Sequence, residues 1–146
     1  MSFRRLPSYA RRSIGPTPGT PMGVVHGDFT LVNLFTLKQV KVRAMIDTGT
    51  TDVLVTSEVA RELGFDLDEV SRANLIMADR RRVHVPRLRP IEIHFSDRSC
   101  LSDVFVLGDE CLVGVIPLEA MDLVVDAKRR EVITNPAHPD GPHKRV

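Results

Sequence analysis

An aspartate stands at the end of an apolar run in the segment VRAMIDTGTTDVLV, which covers residues 42–55. Asp47 follows the apolar triplet AMI and precedes small residues that carry hydroxyl groups or no side chain. A carboxylate in an apolar environment is costly unless other groups pair with it or hydrogen-bond to it. Two interpretations stay open at this point. Asp47 either ends a strand and holds a turn, or is kept for chemistry.

The residues after Asp47 suit acid–base chemistry. Gly49 allows a sharp turn and the close approach of another chain, and the hydroxyls of Thr48, Thr50 and Thr51 can donate to carboxylates or to backbone. Two carboxylates held about 3 Å apart share one proton, because both cannot ionise side by side. One then acts as acid and the other as base, and a water between them can attack an amide carbonyl.

The elements that must position Asp47 are mostly strands. The chain has 146 residues, 42% of them apolar, with one Tyr and no Trp, which predicts one domain with an aliphatic core. Valine occurs in short runs between turn residues, a pattern typical of β-rich proteins. Strands are predicted within 23–34, 40–47, 53–55, 100–107 and 111–114, hairpins over 73–95 and 123–134, and short helices over 56–65 and near Pro117.

A faint internal repeat links the two halves at an offset of sixty residues, where DVLVTSEVARELG overlays LVGVIPLEAMDLV. In each half a strand leads through a turn into a second short strand and then a helix. The pattern is the one expected of a small barrel built from two related halves.

These elements together resemble the aspartic proteases of the retroviral, single-lobe type, and in particular their stand-alone bacterial members. The resemblance rests on AMIDTGTTDVLV, the helix TSEVARELGF, the hairpin region LIMADRRRVHVP, and LVG before VIPLEAMDL, and it covers residues 23–135. It implies an all-β fold, a small closed barrel with one or two short helices, and a peptidase that needs no cofactor.

The resemblance also assigns roles to the loop residues. Asp47 is similar to the catalytic aspartate, Thr48 to the threonine that bonds across the dimer axis, and Gly49 to the glycine whose backbone meets the substrate. Thr50 supports the loop, and its hydroxyl gives the ionised carboxylate a donor. We therefore expect a more acidic activity optimum than for Thr50→Ala. Asp52 is either a substrate-pocket acid or the partner of an arginine.

A second such triplet is absent from the chain, so a pair of carboxylates requires two chains related by a twofold axis. The protein is therefore expected to act as a homodimer, and RREVIT, residues 129–134, is the candidate interface strand.

The predicted substrate-covering hairpin, or flap, has its tip near residues 79–81 and departs from the family pattern because it contains no glycine. Its candidate substrate-binding residues are Met77, Ala78, Asp79, Arg80 and Arg81. The tip is either a solvated turn or a charged flap whose backbone pairs with an extended peptide. The run Arg80–Arg82 also hints that acidic side chains near the cleaved bond are favoured.

Composition limits the other functions. Residues 1–21 hold four arginines and no acid, which leaves 16 Lys or Arg against 19 Asp or Glu in the rest, so no nucleic-acid binding is expected. Prolines cluster at both ends and predict a basic N-terminal extension over 1–22 and a C-terminal tail over 136–146, both extended or disordered. The protease domain is assigned to residues 23–135.

The sequence also predicts that the protein has no metal site, no membrane span and no secretory signal. Cys100, Cys111, His84 and His94 lack close ligand spacing, so no metal site is expected. No apolar run approaches the ~20 residues of a membrane span, and the N-terminus lacks the apolar segment of a secretory signal. These features favour free thiols and a cytoplasmic location.

The sequence thus predicts a homodimeric aspartic endopeptidase acting on extended polypeptide. The alternative from another class is a catalytically silent dimeric module of the same fold that binds peptides without cleaving them. A third interpretation is an adaptor whose tails do the binding.

Overall fold

A computed structural model of the protein describes residues 23–142. The predicted N-terminal extension, 1–22, lies outside the described residues, as do residues 143–146 at the end of the predicted tail. The domain boundaries drawn from the sequence stay predictions.

The described residues form nine strands and two short helices in the predicted order. The strands are β1 (His26–Asn33), β2 (Gln39–Ile46), β3 (Val53–Val55), β4 (Arg72–Ile76), β5 (Arg82–Phe95), β6 (Arg98–Val106), β7 (Leu112–Val113), β8 (Leu123–Asp126) and β9 (Glu131–Thr134). The helices are α1 (Ser57–Glu62) and α2 (Val115–Ala120).

Strand pairing produces a ring. The sheet order is β4-β5-β6-β3-β7-β2-β1-β9-β8, and an additional pairing of β5 with β1 joins β1, β2, β7, β3, β6 and β5 into a closed circuit. β4 extends from β5, and the β8–β9 hairpin extends from β1. The predicted all-β, single-lobe fold with two short helices is confirmed, although the ring is not a regular barrel.

The main core is aliphatic because side chains alternate across each strand. In β2, Val40, Val42 and Ala44 are buried, while Lys41 and Arg43 between them are exposed. Val53, Val55, Val104 and Val113 bring the neighbouring strands into the same cluster. Each fully buried Val or Leu contributes on the order of 1.5–3 kcal/mol relative to exposure.

A second apolar cluster lies on the other face of the strands that flank Asp47. Met45, Leu54 and Leu112 belong to it, together with Val85 and Phe105. Partly buried residues of β4 and β5 pack against it, namely Ala73, Leu75 and Val83. Apolar residues on both faces explain why AMI, VLV and LVG read as continuous apolar runs.

The two helices begin differently. The side chain of Thr56 accepts a hydrogen bond from the Val59 N–H at 3.2 Å, as its position before α1 predicts, and Gly64 ends the turn at a φ of 89°. The N-cap of α2 is Gly114, which offers no side chain for capping, and Pro117 lies in the first turn of the helix as expected.

The internal repeat exists at a different register from the predicted one. Each half contributes a strand, a loop, a short strand and a helix, and β3 pairs with β6 of the other half while β7 pairs with β2. α1 begins at Ser57 and α2 at Val115, which is an offset of 58 rather than sixty residues. The predicted offset of sixty is therefore two residues too long for the helices. It fits the strands before them, where Met45 of β2 and Phe105 of β6 occupy corresponding places in the second apolar cluster.

The segment after β9 makes two turns and contacts the body. The guanidinium of Arg98, which is 4% exposed, donates to the carbonyls of Met121 at 2.9 Å, Asp122 at 3.2 Å and His138 at 2.7 Å. The Asn135 amide donates to the Asp122 carboxylate at 3.0 Å. Pro136–Pro142, expected to be extended or disordered, are thus held against the C-terminal end of α2 as far as the structure describes them.

Over residues 23–142, neither helix has the length and apolar character needed to cross a membrane.

Candidate active site

Asp47 lies immediately after β2, and its carboxylate is bonded within its own loop. One oxygen accepts the Gly49 N–H at 2.9 Å, and the other accepts the Thr50 hydroxyl at 3.2 Å. The Thr50 N–H donates back to the Asp47 carbonyl at 3.0 Å. The side chain is only partly buried, so the carboxylate is fixed in direction while it stays reachable.

The loop is fastened to the sheet and to the start of α2. The Asp47 N–H donates to the Val113 carbonyl at 3.0 Å, which continues the pairing of β2 with β7. The first N–H groups of α2 and its cap then donate to loop carbonyls: Val115 to Thr50 at 2.9 Å, Ile116 to Thr51 at 2.9 Å, and Gly114 to Asp52 at 2.7 Å. The loop carbonyls thus satisfy N–H groups that a helix start leaves without intrahelical partners.

Gly114 makes this contact possible. A Cβ atom built at position 114 would lie 2.3 Å from the Thr50 carbonyl oxygen and 2.6 Å from that of Asp52. Both obstacles are backbone atoms, so they cannot swing aside as a flexible side chain can. Gly114 is therefore a positioning residue for the loop that carries Asp47.

The other predicted loop residues surround the carboxylate. Thr48 and Gly49 are exposed, and Asp52 is half-buried. The Thr51 hydroxyl donates to the Asp52 carboxylate at 2.8 Å. Asp52 is thus bonded within the loop, and among residues 23–142 no ion pair joins it to an arginine.

The predicted flap is present as the hairpin of β4 and β5, paired from Arg72 opposite Pro86 to Ile76 opposite Arg82. Its tip closes through the Met77 N–H, which donates to the Arg81 carbonyl at 2.8 Å. Ala78, Asp79 and Arg80 form the turn itself, one residue earlier than the tip predicted near 79–81.

A carboxylate and a left-handed residue shape the flap tip in place of a glycine. The Asp79 carboxylate accepts the Arg81 backbone N–H at 3.0 Å and the Arg81 Nε–H at 2.8 Å. The backbone bond to Arg81, assisted by its guanidinium, holds the pKa of Asp79 below its usual value. Arg80 adopts a φ of 68°, a conformation that glycine takes without strain.

The second apolar cluster connects the flap to the Asp47 loop. Leu75 and Val83 of the flap pack on the cluster that contains Met45 and Leu112. Met45 lies two residues before Asp47, and Leu112 lies two residues before Gly114. The stem of the flap and the strands that lead into the Asp47 loop and Gly114 thus share one apolar cluster.

A His–Glu contact lies on the strand next to the loop. His26 pairs with Met45 across β1 and β2, and its Nε2 lies 3.3 Å from Glu110 Oε1. Burial raises the pKa of Glu110 above its usual value, although the bond to His26 acts in the opposite direction.

The candidate metal ligands remain apart in the described part of the chain. His84 contacts the Asn74 side chain and His94 contacts Glu92, and no group of three or more ligand side chains assembles among residues 23–142. Cys100 and Cys111 are free, and burial raises the pKa of each thiol to about 11. Neither thiol is poised as a nucleophile at neutral pH.

Sequence reasoning missed two features of this site. The steric role of Gly114 was not foreseen, although its place after LV and before a helix pointed to it. The second apolar cluster was also missed. Its signal was the apolar residue at every position of AMI and VLV, where a strand with one solvent-facing side would alternate.

Comparison with known proteins agrees with this geometry. Residues 34–104, which include the Asp47 loop and the flap, match the family model of aspartyl proteases. No curated protein sequence shows significant similarity to the chain.

Two solved structures share the fold. A retropepsin-like aspartic protease from Rickettsia conorii is similar with a TM-score of 0.52 and 22% identity, over 71% of this chain and 75% of that one. The retroviral protease-like domain of Ddi1 from Leishmania major is similar with a TM-score of 0.55 and 15% identity, over 77% of this chain and 89% of that one. The chain therefore has the retropepsin-like fold and matches the aspartyl protease family over residues 34–104, which confirms the resemblance that the sequence indicated.

Proposed function

We propose that this protein is an aspartic endopeptidase that acts as a homodimer on extended polypeptide. The observation that carries the proposal is the Asp47 carboxylate, held in direction by Gly49 and Thr50 at the end of a buried strand and left partly exposed. A turn-holding aspartate would need only the Gly49 bond. The additional support of the loop by α2 points to a group whose position matters.

The proposed reaction uses one Asp47 from each protomer. One carboxylate takes a proton from a bound water while the water oxygen attacks the peptide carbonyl carbon. The other carboxyl group donates its proton to the carbonyl oxygen. The resulting tetrahedral species then breaks its C–N bond as the leaving nitrogen takes up a proton, so that an acid and an amine are released without a covalent enzyme intermediate.

The surroundings of Asp47 suit an extended polypeptide. The second apolar cluster, with the buried Met45, Leu54 and Leu112, supports the strands that lead into and out of the loop and the stem of the flap that packs on it. The flap hairpin supplies backbone groups that can pair with a strand-like peptide. Thr48 and Gly49 are exposed at the loop, as groups that meet a partner protomer or a substrate must be.

The silent peptide-binding module remains the second candidate, and the flap tip is the observation that favours it. Asp79 ties the tip to Arg81 through two hydrogen bonds, and the turn contains no glycine. A tip held in this way opens less readily, which would slow the exchange of substrate and product.

One experiment separates the candidates. The purified full-length protein and its Asp47→Asn variant are incubated with a reduced, unfolded protein over a range of pH, and the fragments are identified by mass spectrometry. We expect cleavage by the wild type and none by the variant. Cleavage by both would refute the role of Asp47, whereas binding without cleavage by either form would select the binding module.

We also propose that the protein resides in a reducing compartment such as the cytoplasm. A second copy of the chain is its only proposed partner besides the substrate. The two free thiols support the first point. Light scattering of the intact protein tests the second, and a strict monomer at all concentrations would contradict it. The interface strand stays a prediction: β9 lies between β1 and β8, so the sheet edge itself belongs to β8.

A further inference from the structure

Charge is divided sharply between the flap and the rest of the described chain. The hairpin segment 71–90 holds six arginines and a single acid, Asp79. The other residues within 23–142 hold eight Lys or Arg against 18 Asp or Glu. Solubility alone does not explain why the arginines are concentrated on one hairpin while the rest of the described chain is acidic. The concentration of positive charge therefore indicates a function local to the hairpin.

The strand register shows which of the tip arginines aligns with the apolar side of the flap. Ala73 and Leu75 on β4, and Val83 and Val85 on β5, face the second apolar cluster. Side chains alternate along a strand, so position 81 continues the register of Val83 and Val85 into the tip. Arg82, opposite the exposed Ile76, belongs to the outer face.

Arg81 is accessible and already holds a carboxylate. Its side chain is 70% exposed, and its Nε–H donates to Asp79 Oδ2 at 2.8 Å. The planar guanidinium carries more donors than this bond uses, so it can donate hydrogen bonds to a second carboxylate alongside the first. Arg80 and Arg82, both exposed, flank it along the chain.

We propose that the arginine-bearing flap tip, with Arg81 as its principal contact, selects polypeptides that carry Asp or Glu close to the segment bound beneath the flap. This inference rests on the proposed function, because it names the substrate class of the same site. A polypeptide fits better than a nucleic acid, since the inner face of the flap is apolar and the body beneath it is acidic.

Binding of labelled peptides to the full-length Asp47→Asn variant tests the proposal without turnover. A neutral peptide with apolar residues at its centre is compared with versions in which one glutamate replaces glutamine at each position in turn. We expect at least one glutamate position to tighten binding by about 3- to 10-fold at low salt, and most of the gain to vanish near 0.5 M salt.

Two further substitutions in this background locate the effect. Arg81→Gln should remove most of the preference for glutamate. Arg129→Gln serves as the matched control, because Arg129 is 74% exposed, also contacts an aspartate, and lies on the β8–β9 turn. Equal or unmeasurable binding of the acidic and neutral peptides, or an equal loss in both variants, would overturn the inference. So would a single-stranded oligonucleotide that binds as tightly as the acidic peptide.

The wild-type protein provides the second readout and keeps the two proposals distinct. Cleavage of the same peptides is followed by mass spectrometry, and the preferred peptides should be those that bind best. Cleavage without a preference for glutamate would refute the substrate class alone. Selective binding without any cleavage would refute the proposed peptidase function and leave the selectivity of the flap standing.

Discussion

The Asp47 carboxylate accepts one backbone and one hydroxyl hydrogen bond, and the two donors differ in what a substitution can change. The Gly49 N–H is supplied by the turn itself and survives any change of side chain. The Thr50 hydroxyl is a side-chain donor and can be removed. Thr50 is thus the residue through which the charge state of Asp47, the proposed catalytic group, can be tested without altering the loop backbone.

We expect Thr50→Ala to move the activity optimum toward higher pH. The hydroxyl donates to the ionised carboxylate and stabilises its charged form, so its loss favours the protonated form. The measurement is a pH–rate profile on a single peptide. Thr51→Ala is the matched control, because its hydroxyl donates to Asp52 and not to Asp47. An unmoved profile in Thr50→Ala, or equal shifts in both variants, would contradict this role.

Gly114→Ala should reduce both stability and activity. The new methyl group would meet two carbonyl oxygens at 2.3 and 2.6 Å, so the loop must shift, at a cost of about 1–3 kcal/mol in the free energy of unfolding. Displacement of the loop misaligns Asp47, and kcat should fall about 100-fold. Urea unfolding and steady-state kinetics measure the two effects.

Gly108→Ala is the control for that substitution. Gly108 has a φ of 81° and no atom within 4 Å of the added carbon, so alanine there brings backbone strain without a clash. It should lose stability and keep its activity. If Gly114→Ala behaved in the same way, the positioning role of Gly114 would be refuted.

At the scale of elements, local patterns predicted most of what the structure contains. The strand predicted within 40–47, the short helix predicted over 56–65 and the flap hairpin depend on neighbours in sequence, and each was found. The Asp47 loop was recognised because its residues are contiguous.

Long-range packing was beyond the reach of the same reasoning. The contact of Gly114 with Thr50 joins residues 64 positions apart, and no local periodicity records it. The hydrogen bond from Arg98 to the His138 carbonyl also joins residues 40 positions apart. The prolines of the C-terminal segment suggested that it would be extended or disordered. Proline excludes regular ladders, yet it does not prevent a chain from docking through its carbonyl groups.

The contact between the C-terminal segment and α2 gives stability a pH dependence. The Asn135 amide, followed by the His138 ring, bonds to the Asp122 carboxylate and holds its pKa below the usual value of 3.8. A carboxyl group whose pKa is lower in the folded than in the unfolded state stabilises the protein when the pH is above its unfolded-state pKa. This stabilisation is lost as the pH falls through its folded-state pKa.

Asp122→Asn should therefore be less stable than the wild type at neutral pH, and the difference should narrow below about pH 4. Asparagine suits the site because residue 122 has a φ of 54°, which Asn and Asp tolerate better than other side chains. Urea unfolding of both proteins from pH 7 to about pH 3 measures the difference. If the difference in the free energy of unfolding between the two proteins did not change with pH, the charge of the Asp122 carboxylate would contribute nothing to stability.

At the scale of the whole molecule, a protomer presents half of the proposed machinery. It holds one Asp47, an apolar cluster beside the loop, and a flap anchored on that cluster. Exposed apolar side chains also lie in the first turn of α2, where Ile116 is 52% exposed, and on the edge strand β8, where Val125 is 41% exposed. Association of two copies would cover such surface and complete the pair of carboxylates at the same time.

Mixing wild-type protein with the Asp47→Asn variant tests this coupling directly. If the protomers exchange at random in equal amounts, half of the wild-type chains sit in dimers with one aspartate, so activity per wild-type chain should fall to about one half. A larger excess of the variant should abolish activity, because nearly every wild-type chain then has an inactive partner. The control is an equal amount of an unrelated inactive protein, which removes no carboxylate from the pair. Activity that stays constant per wild-type chain, while untagged wild-type chains co-purify with a tagged variant and so show that mixed dimers have formed, would mean that one Asp47 suffices and that the shared-proton chemistry proposed here is wrong.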